Sequence, residues 1–352
     1  LPDFKKMNKN FFPFISGIIV LFFNRTQGSD WGPARAGSAT LIDSAKIYLM
    51  TQDYRKAERM VNMISDKQSE KKEALYLSCA IKQTEILDYE SYPIDGEVFL
   101  RHADTVFHEL SYYLPLEKGK DSLECMFYIG STLGGMGIIQ AKIGNWPFGV
   151  RNAMASVGYF KQIIKNDPEF KAAYLGIGIF NYYLSENFKW LPFFGDKREE
   201  AIKQMQLATL APFPYNYASC NSFCWILIAR GQIGTADSVA TRVLIKYPNN
   251  TMFIRIKVRI ALAKNQWKDA LILSRKLIDL SKKRDPQNWS DILCGYQAML
   301  VSYDNLGLKK ECLDTSGKVV SMDIPEPFRK IQYVKKHLKY AAEIRKKYLN
   351  DK

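Results

Sequence analysis

A spacing constrains this chain more than any other feature. A small residue followed at four and seven positions by inward-facing residues occurs at Ala201, Met205 and Ala208, again at Ala236, Ala240 and Val243, and again at Ala270, Ser274 and Leu277. Ala236 lies 35 residues after Ala201, and Ala270 lies 34 after Ala236. Offsets of four and seven fall on one face of a helix, and a recurrence near 34 residues has room for two helices and their turns. Proline ends the first two of these units, at Pro212 and Pro214 and at Pro248. A unit of that size cannot bury its own apolar face, so it must stack on its neighbours. The chain of 352 residues would otherwise suggest two or more domains; a repeat array sets that expectation aside. Beyond residue 38 helical periodicity dominates, and no convincing strand alternation is present.

The pattern resembles the tetratricopeptide repeat (TPR) superfamily. On first helices, Tyr174, Ile177-Gly178 and Tyr182 approximate its signature, and Leu41, Ala45 and Tyr48 are followed by Ala57 in a further match. The resemblance is strongest over residues 39 to 64 and 170 to 280 and weaker elsewhere. It implies an all-α fold: a right-handed superhelical solenoid of TPR-like antiparallel helix pairs, continuous over residues 29 to 352. The physical basis is shared, because small residues at Ala45, Gly178 and Ala201 let helix axes approach while large ones fill the gap beside them. Further helices are expected near 69 to 88, 97 to 113, 121 to 142 and 150 to 166, and a seventh pair from about 290 to 320. A capping helix over 326 to 350 carries Phe328, Ile331, Val334, Leu338, Ala341 and Tyr348 on one stripe with lysines around it. Such a cap closes the last apolar face.

Residues 1 to 28 read as a secretory signal peptide. Lys5, Lys6 and Lys9 precede an apolar run from Phe11 to Phe23, and Gly28 with Thr26 offers a cleavage site. At 1.5 Å per residue that run spans about 20 Å, short of the roughly 30 Å hydrocarbon core. Export to the periplasm or beyond is the expectation, with an uncleaved membrane anchor as the alternative and Met7 as another start.

Catalytic and metal chemistry find little support. His102 and His108 lie about 240° apart around a helix, and His337 has no Cys or carboxylate at ligand spacing. The glycines from Gly130 to Gly137 lack the ending of a phosphate loop and read as close helix packing. No enzyme activity, metal or cofactor is expected. The six cysteines include Cys220 and Cys224 on one helix and Cys312 at a small-residue position; buried thiols are preferred to disulfides.

In TPR proteins first helices line a concave groove. Carrying the family's groove positions over gives Asn221, Trp225 and Ile228, then Arg255 and Arg259, then Gln297, Asp304 and Asn305. Arg255 and Arg259 are one turn apart and could present two guanidinium groups to one carboxylate-bearing segment. Their alternative is solvation or pairing within the protein. Two aromatic stretches, Gly144 to Gly149 with Trp146 and Phe148, and Asn187 to Asp196 with Phe188, Trp190, Phe193 and Phe194, are expected as insertions on one edge. They would cover helix ends or form an apolar partner patch.

The formal charge of +14 is concentrated. Residues 249 to 284 hold ten Lys and Arg against two acids, and residues 326 to 352 hold nine against three. These features make a non-enzymatic scaffold of a bacterial cell envelope the leading expectation, binding a protein or peptide in the groove or at the aromatic edge. The alternative is a peripheral anchor to an anionic membrane surface or envelope polymer through the basic half. Nucleic acid is not expected as a partner of an exported protein.

Overall fold

The computed structural model describes residues 40–64, 70–188 and 195–350, and within them all regular structure is helical. The elements are α1 (Leu41–Met50), α2 (Tyr54–Asn62), α3 (Lys71–Tyr89), α4 (Tyr92–Tyr113), α5 (Gly119–Lys142), α6 (Trp146–Asn166), α7 (Ala173–Phe188) and α8 (Arg198–Ala208). They continue as α9 (Tyr215–Ala229), α10 (Ile233–Lys246), α11 (Thr251–Ala263), α12 (Trp267–Lys282), α13 (Trp289–Asn305), α14 (Lys309–Val320), the short α15 (Glu326–Arg329) and α16 (Gln332–Asn350). Consecutive helices pack in pairs, as α1 on α2, α5 on α6, α7 on α8, α11 on α12 and α13 on α14. None of the described helices is long and apolar enough to cross a membrane. The expected signal segment lies outside the described residues.

Five of the turns within pairs share one geometry. Gln52, Gly144, Gly231, Asn265 and Gly307 each take a positive φ, from 56 to 91°. In each case the next amide donates to a carbonyl five residues back, as in Asp53 to Tyr48, Asn145 to Gln140, Gln232 to Leu227, Gln266 to Ala261 and Leu308 to Tyr303. This is the Schellman closure, which satisfies carbonyls that the helix end leaves open. It also corrects the reading of Gly144 to Gly149 as an insertion. Gly144-Asn145 is the same short turn found in the other pairs, and Trp146 already belongs to α6.

The spacing that predicted the second helices is borne out by burial. Ala201, Met205, Ala208, Ala236, Ala240, Val243, Ala270, Ser274 and Leu277 are all buried, and Cys312, Ser316 and Val319 repeat the pattern on α14. Small residues serve close approach: a Cβ on Gly178 would lie 2.9 Å from the Ala201 carbonyl oxygen, and one on Gly137 would lie 2.9 Å from that of Gly149. The glycines from Gly130 to Gly137 are therefore packing residues. The expected cap divides in two, with Phe328 on α15, Ile331 in the break between the helices, and Val334, Leu338, Ala341 and Tyr348 on α16. All six cysteines are free and buried.

The chain forms two compact units. Of the described residues, the first comprises those from 40 to 87 and from 95 to 223, and the second those from 88 to 94 and from 224 to 350. The first is centred on an aromatic cluster, in which Phe127 contacts Tyr76, Tyr128, Phe160, Phe170 and Tyr215 at centroid separations of 5.3 to 6.3 Å. It also buries an ion pair, Lys46 Nζ to Glu73 Oε1 at 2.6 Å. Burial pushes the Glu73 carboxyl up to about 7, with Lys46 pulling against it. The second unit has its core among α12, α13, α14 and α16, where Ile292, Leu300, Ile331 and Val334 are sealed from water. It includes the corner between α3 and α4, residues 88 to 94.

Candidate binding site on the second unit

The α3–α4 corner enters the second unit as a helix end in need of partners. The carbonyls of Asp88 and Tyr89 belong to the last turn of α3, where backbone oxygens lack intrahelical donors and the helix dipole is negative. Side chains from α11, from α13 and from the connection before α13 supply both needs. Arg255 Nη2 donates to the Asp88 carbonyl at 3.0 Å and lies 3.3 Å from its carboxylate. Asn288 caps α13 by accepting from the Asp291 amide and also donates through Nδ2 to the Asp88 carbonyl at 3.2 Å. Ser290 Oγ donates to the Tyr89 carbonyl at 2.7 Å. Arg284 reaches the second Asp88 oxygen at 2.6 Å, and its guanidinium lies 4.5 Å from the centre of the Tyr89 ring.

Arg255 is the centre of this cluster. Its Nε is 2.6 Å from Asp291 Oδ1 and its Nη1 3.9 Å from Glu90 Oε1. All four side chains are 3% exposed or less. Burial works against the charged guanidinium, but Asp291 and Asp88 outweigh it and raise its pKa further. Burial pushes the Asp291 carboxyl up to about 6, opposed by Arg255 and Arg284 and reinforced by Asp88. Glu90 holds φ at 55°, a conformation usually left to glycine. A glycine there could turn the corner, but it would offer no carboxylate to Arg255.

One turn further along α11, Arg259 is exposed, and among the described residues no carboxylate pairs with it. Its surroundings are aromatic and thiol rather than acidic. Burial pushes the Cys294 thiol and the Tyr333 hydroxyl up, and the charges of Arg255 and Arg259 pull both down. The Tyr333 ring stands edge-on to His337 at 4.3 Å between centroids. His337 is buried, and burial followed by the charges of Lys336, Arg259 and Arg255 pushes its pKa down to about 3.

Other groove positions fall differently. Asn221, in the first unit, is buried at 1% exposure. In the second unit Trp225, Ile228 and Gln297 are half-buried. Arg255 does not face a groove, because its carboxylates come from its own chain. Asp304 is likewise engaged internally, accepting from Lys347 at 2.6 Å and from the Tyr348 hydroxyl, so α16 takes the position expected to face a partner. Asn305 donates to the Val301 carbonyl within its own helix. Trp146 is half-buried, and Phe148 is exposed with the Arg151 guanidinium 4.9 Å from its ring centre. Trp190, Phe193 and Phe194 lie outside the described residues. Asp88, Glu90, Asn288 and Asp291 escaped the sequence reading, as did the burial of His337. The one local signal was an Asn three residues before an Asp at a helix start, which marks a cap and says nothing of its distant partner.

No family model matches the chain, and no curated protein matches it in sequence.

Proposed function

We propose that this protein is a non-enzymatic scaffold, a right-handed solenoid of TPR-like helix pairs that binds a carboxylate-bearing polypeptide on the first-helix face of its second unit. One observation carries the reading: α11, α13 and the connection before α13 already hold an acidic polypeptide segment, Asp88-Tyr89-Glu90, through side-chain contacts to both its backbone carbonyls and its carboxylates. The adjoining turn of α11 offers a second guanidinium, Arg259, with no acid of its own. The repeated turn geometry and the small-residue spacing support the solenoid. The test is a photo-reactive amino acid at position 259 in the full chain, irradiated in the producing cells. A polypeptide adduct lost in the background of Lys336→Glu supports the reading, and an adduct-free protein overturns it. The envelope location rests on residues 1 to 28, and N-terminal sequencing of the protein from fractionated cells tests it directly.

A second reading is favoured by α16. Lys335, Lys336 and Lys346 are exposed there and form no ion pair among the described residues. Attachment to an anionic lipid or polymer surface through them would weaken steeply with salt, which vesicle co-sedimentation at two ionic strengths would reveal.

A further inference from the structure

The seam between α12 and α13 carries two phenols on matched steps. Lys282 on α12 donates to the Tyr296 hydroxyl of α13 at 3.4 Å. Arg275, seven residues earlier on α12, donates to the hydroxyl of Tyr303, seven residues later on α13, at 3.2 Å. Seven residues at 1.5 Å each put the steps about 10 Å apart. At both, the phenol oxygen accepts from a cation, while its own O–H has no acceptor among the described residues. The Tyr296 step has one more charge, because Lys318 on α14 holds its ammonium 5.7 Å from the centre of the same ring. Lys282 Nζ lies 5.8 Å from that centre but 3.4 Å from the oxygen, so it stands beyond the hydroxyl rather than over the ring face. Both lysines are exposed, and the ring itself is buried. Neither lysine forms an ion pair among the described residues, although Asp279 and Asp314 lie three and four residues before them on the same helices. What this step leaves unsatisfied is positive charge and donor hydrogens.

We propose that Lys282, Lys318 and Tyr296 form a binding site for a phosphomonoester group, with both ammonium groups on its oxygens and the phenol O–H donating to one of them. Such a group carries about −1.5 to −2 charges at pH 7 and three acceptor oxygens, which matches two cations and a hydroxyl. A carboxylate brings a single charge. The step at Arg275 and Tyr303 offers one cation and is the poorer site. The ligand enters from solvent, where the two lysine chains stand exposed and can close on it. The site uses none of the residues invoked above and stands apart from both readings given there.

The test is site-resolved. The full chain is treated at pH 8 with an amine-acetylating ester, and mass spectrometry reads the rate at each lysine in sodium phosphate and in sodium chloride of the same ionic strength. Phosphate should slow Lys282 and Lys318 together, saturably and by about 3-fold or more at high occupancy, while the exposed Lys335 on α16 reacts alike in both salts. Lys318→Ala should remove the protection of Lys282, Tyr296→Phe should weaken it, and Arg275→Gln should leave it intact. Lys318 and Arg275 are exposed and Tyr296→Phe keeps the ring, so these variants are expected to fold, and an unchanged circular dichroism melt verifies it. Vesicles of phosphatidic acid, compared with vesicles of phosphatidylcholine, separate the sources. Protection by free phosphate and by phosphatidic acid assigns the site to a lipid headgroup, and protection by free phosphate alone assigns it to a soluble phosphomonoester. Equal rates in phosphate and chloride, equal protection of Lys335 by free phosphate, or protection of Lys282 that survives Lys318→Ala overturns the proposal.

Discussion

Arg255 Nε and Asp291 Oδ1 stand 2.6 Å apart where water does not reach either side chain. A buried pair of this kind contributes little net stability when intact, because desolvation offsets its attraction, but breaking it strands a charge. The surrounding charges are unequal in number, with Asp88, Glu90 and Asp291 against Arg255 and Arg284. Removal of the arginine and removal of an acid should therefore have different effects. Arg255→Met should cost about 3–5 kcal/mol, and Asp291→Asn less than half as much, since it removes the surplus negative charge and keeps the shape. Urea denaturation at pH 7 measures both, and equal losses would contradict the assignment.

His337 makes acid sensitivity readable. Its pKa in the folded protein is about 3, below the ordinary 6.5, so the unfolded chain binds the proton first as pH falls. The contribution of the neutral ring is complete above about pH 6.5 and is lost toward pH 3, by about 1.4 kcal/mol per pH unit. His337→Phe should therefore gain on the parent protein as the buffer is taken from pH 7 to pH 5. A stability difference that stays constant with pH would refute the burial.

Glu73 behaves in the opposite sense. Its folded-state value of about 7 lies above the ordinary 4.5, so the folded protein holds the proton to higher pH than the unfolded chain does. Stability drawn from this group is present below about pH 4.5 and declines as pH rises to about 7. Thermal melts of the parent and Glu73→Gln should converge or diverge across that interval and run parallel outside it.

Two glycines one helix apart give a steric contrast. Gly137→Ala places a methyl 2.9 Å from the Gly149 carbonyl oxygen and must force α5 from α6, at about 1–3 kcal/mol. Gly158 meets nothing within 4 Å, and Gly158→Ala should be stabilising by roughly 0.5–1 kcal/mol through helix propensity alone. Chemical denaturation of the two variants decides whether close approach is the reason for the α5 glycines.

Burial pushes the Cys79 thiol up to about 12 and those of Cys125 and Cys312 up to about 11. A thiol reagent at pH 8 should label the native protein slowly and the denatured, unreduced protein at six groups per chain. Fewer than six would mean a disulfide.

What was legible in the sequence was local. Ala236, Ala240 and Val243 declared a buried face because four and seven residues are distances within one helix. The fate of Arg255 was not legible, since its partner Asp88 lies 167 residues away and nothing near Arg255 announces it. Trp146 was misplaced for a related reason: the motif Gly-Asn-Trp-Pro looks like an irregular loop until Gly144 is compared with Gly231 and Gly307 in the same turn. Asp304 was assigned outward by family register, which does not include the lysine and tyrosine that α16 brings to it. His337 interrupts an otherwise apolar stripe, and a polar residue there reads as surface when its burial depends on Tyr333 and on the helices that α16 packs against.

Asp88 leaves the ribosome long before the residues that hold it. Asn288 follows it by 200 residues, which at 5–20 residues per second is about 10–40 s of synthesis. Until then the end of α3 has neither the arginines nor the cap of α13. A chain truncated before α13 would leave that acidic corner without the Asn288 and Ser290 donors that satisfy its carbonyls.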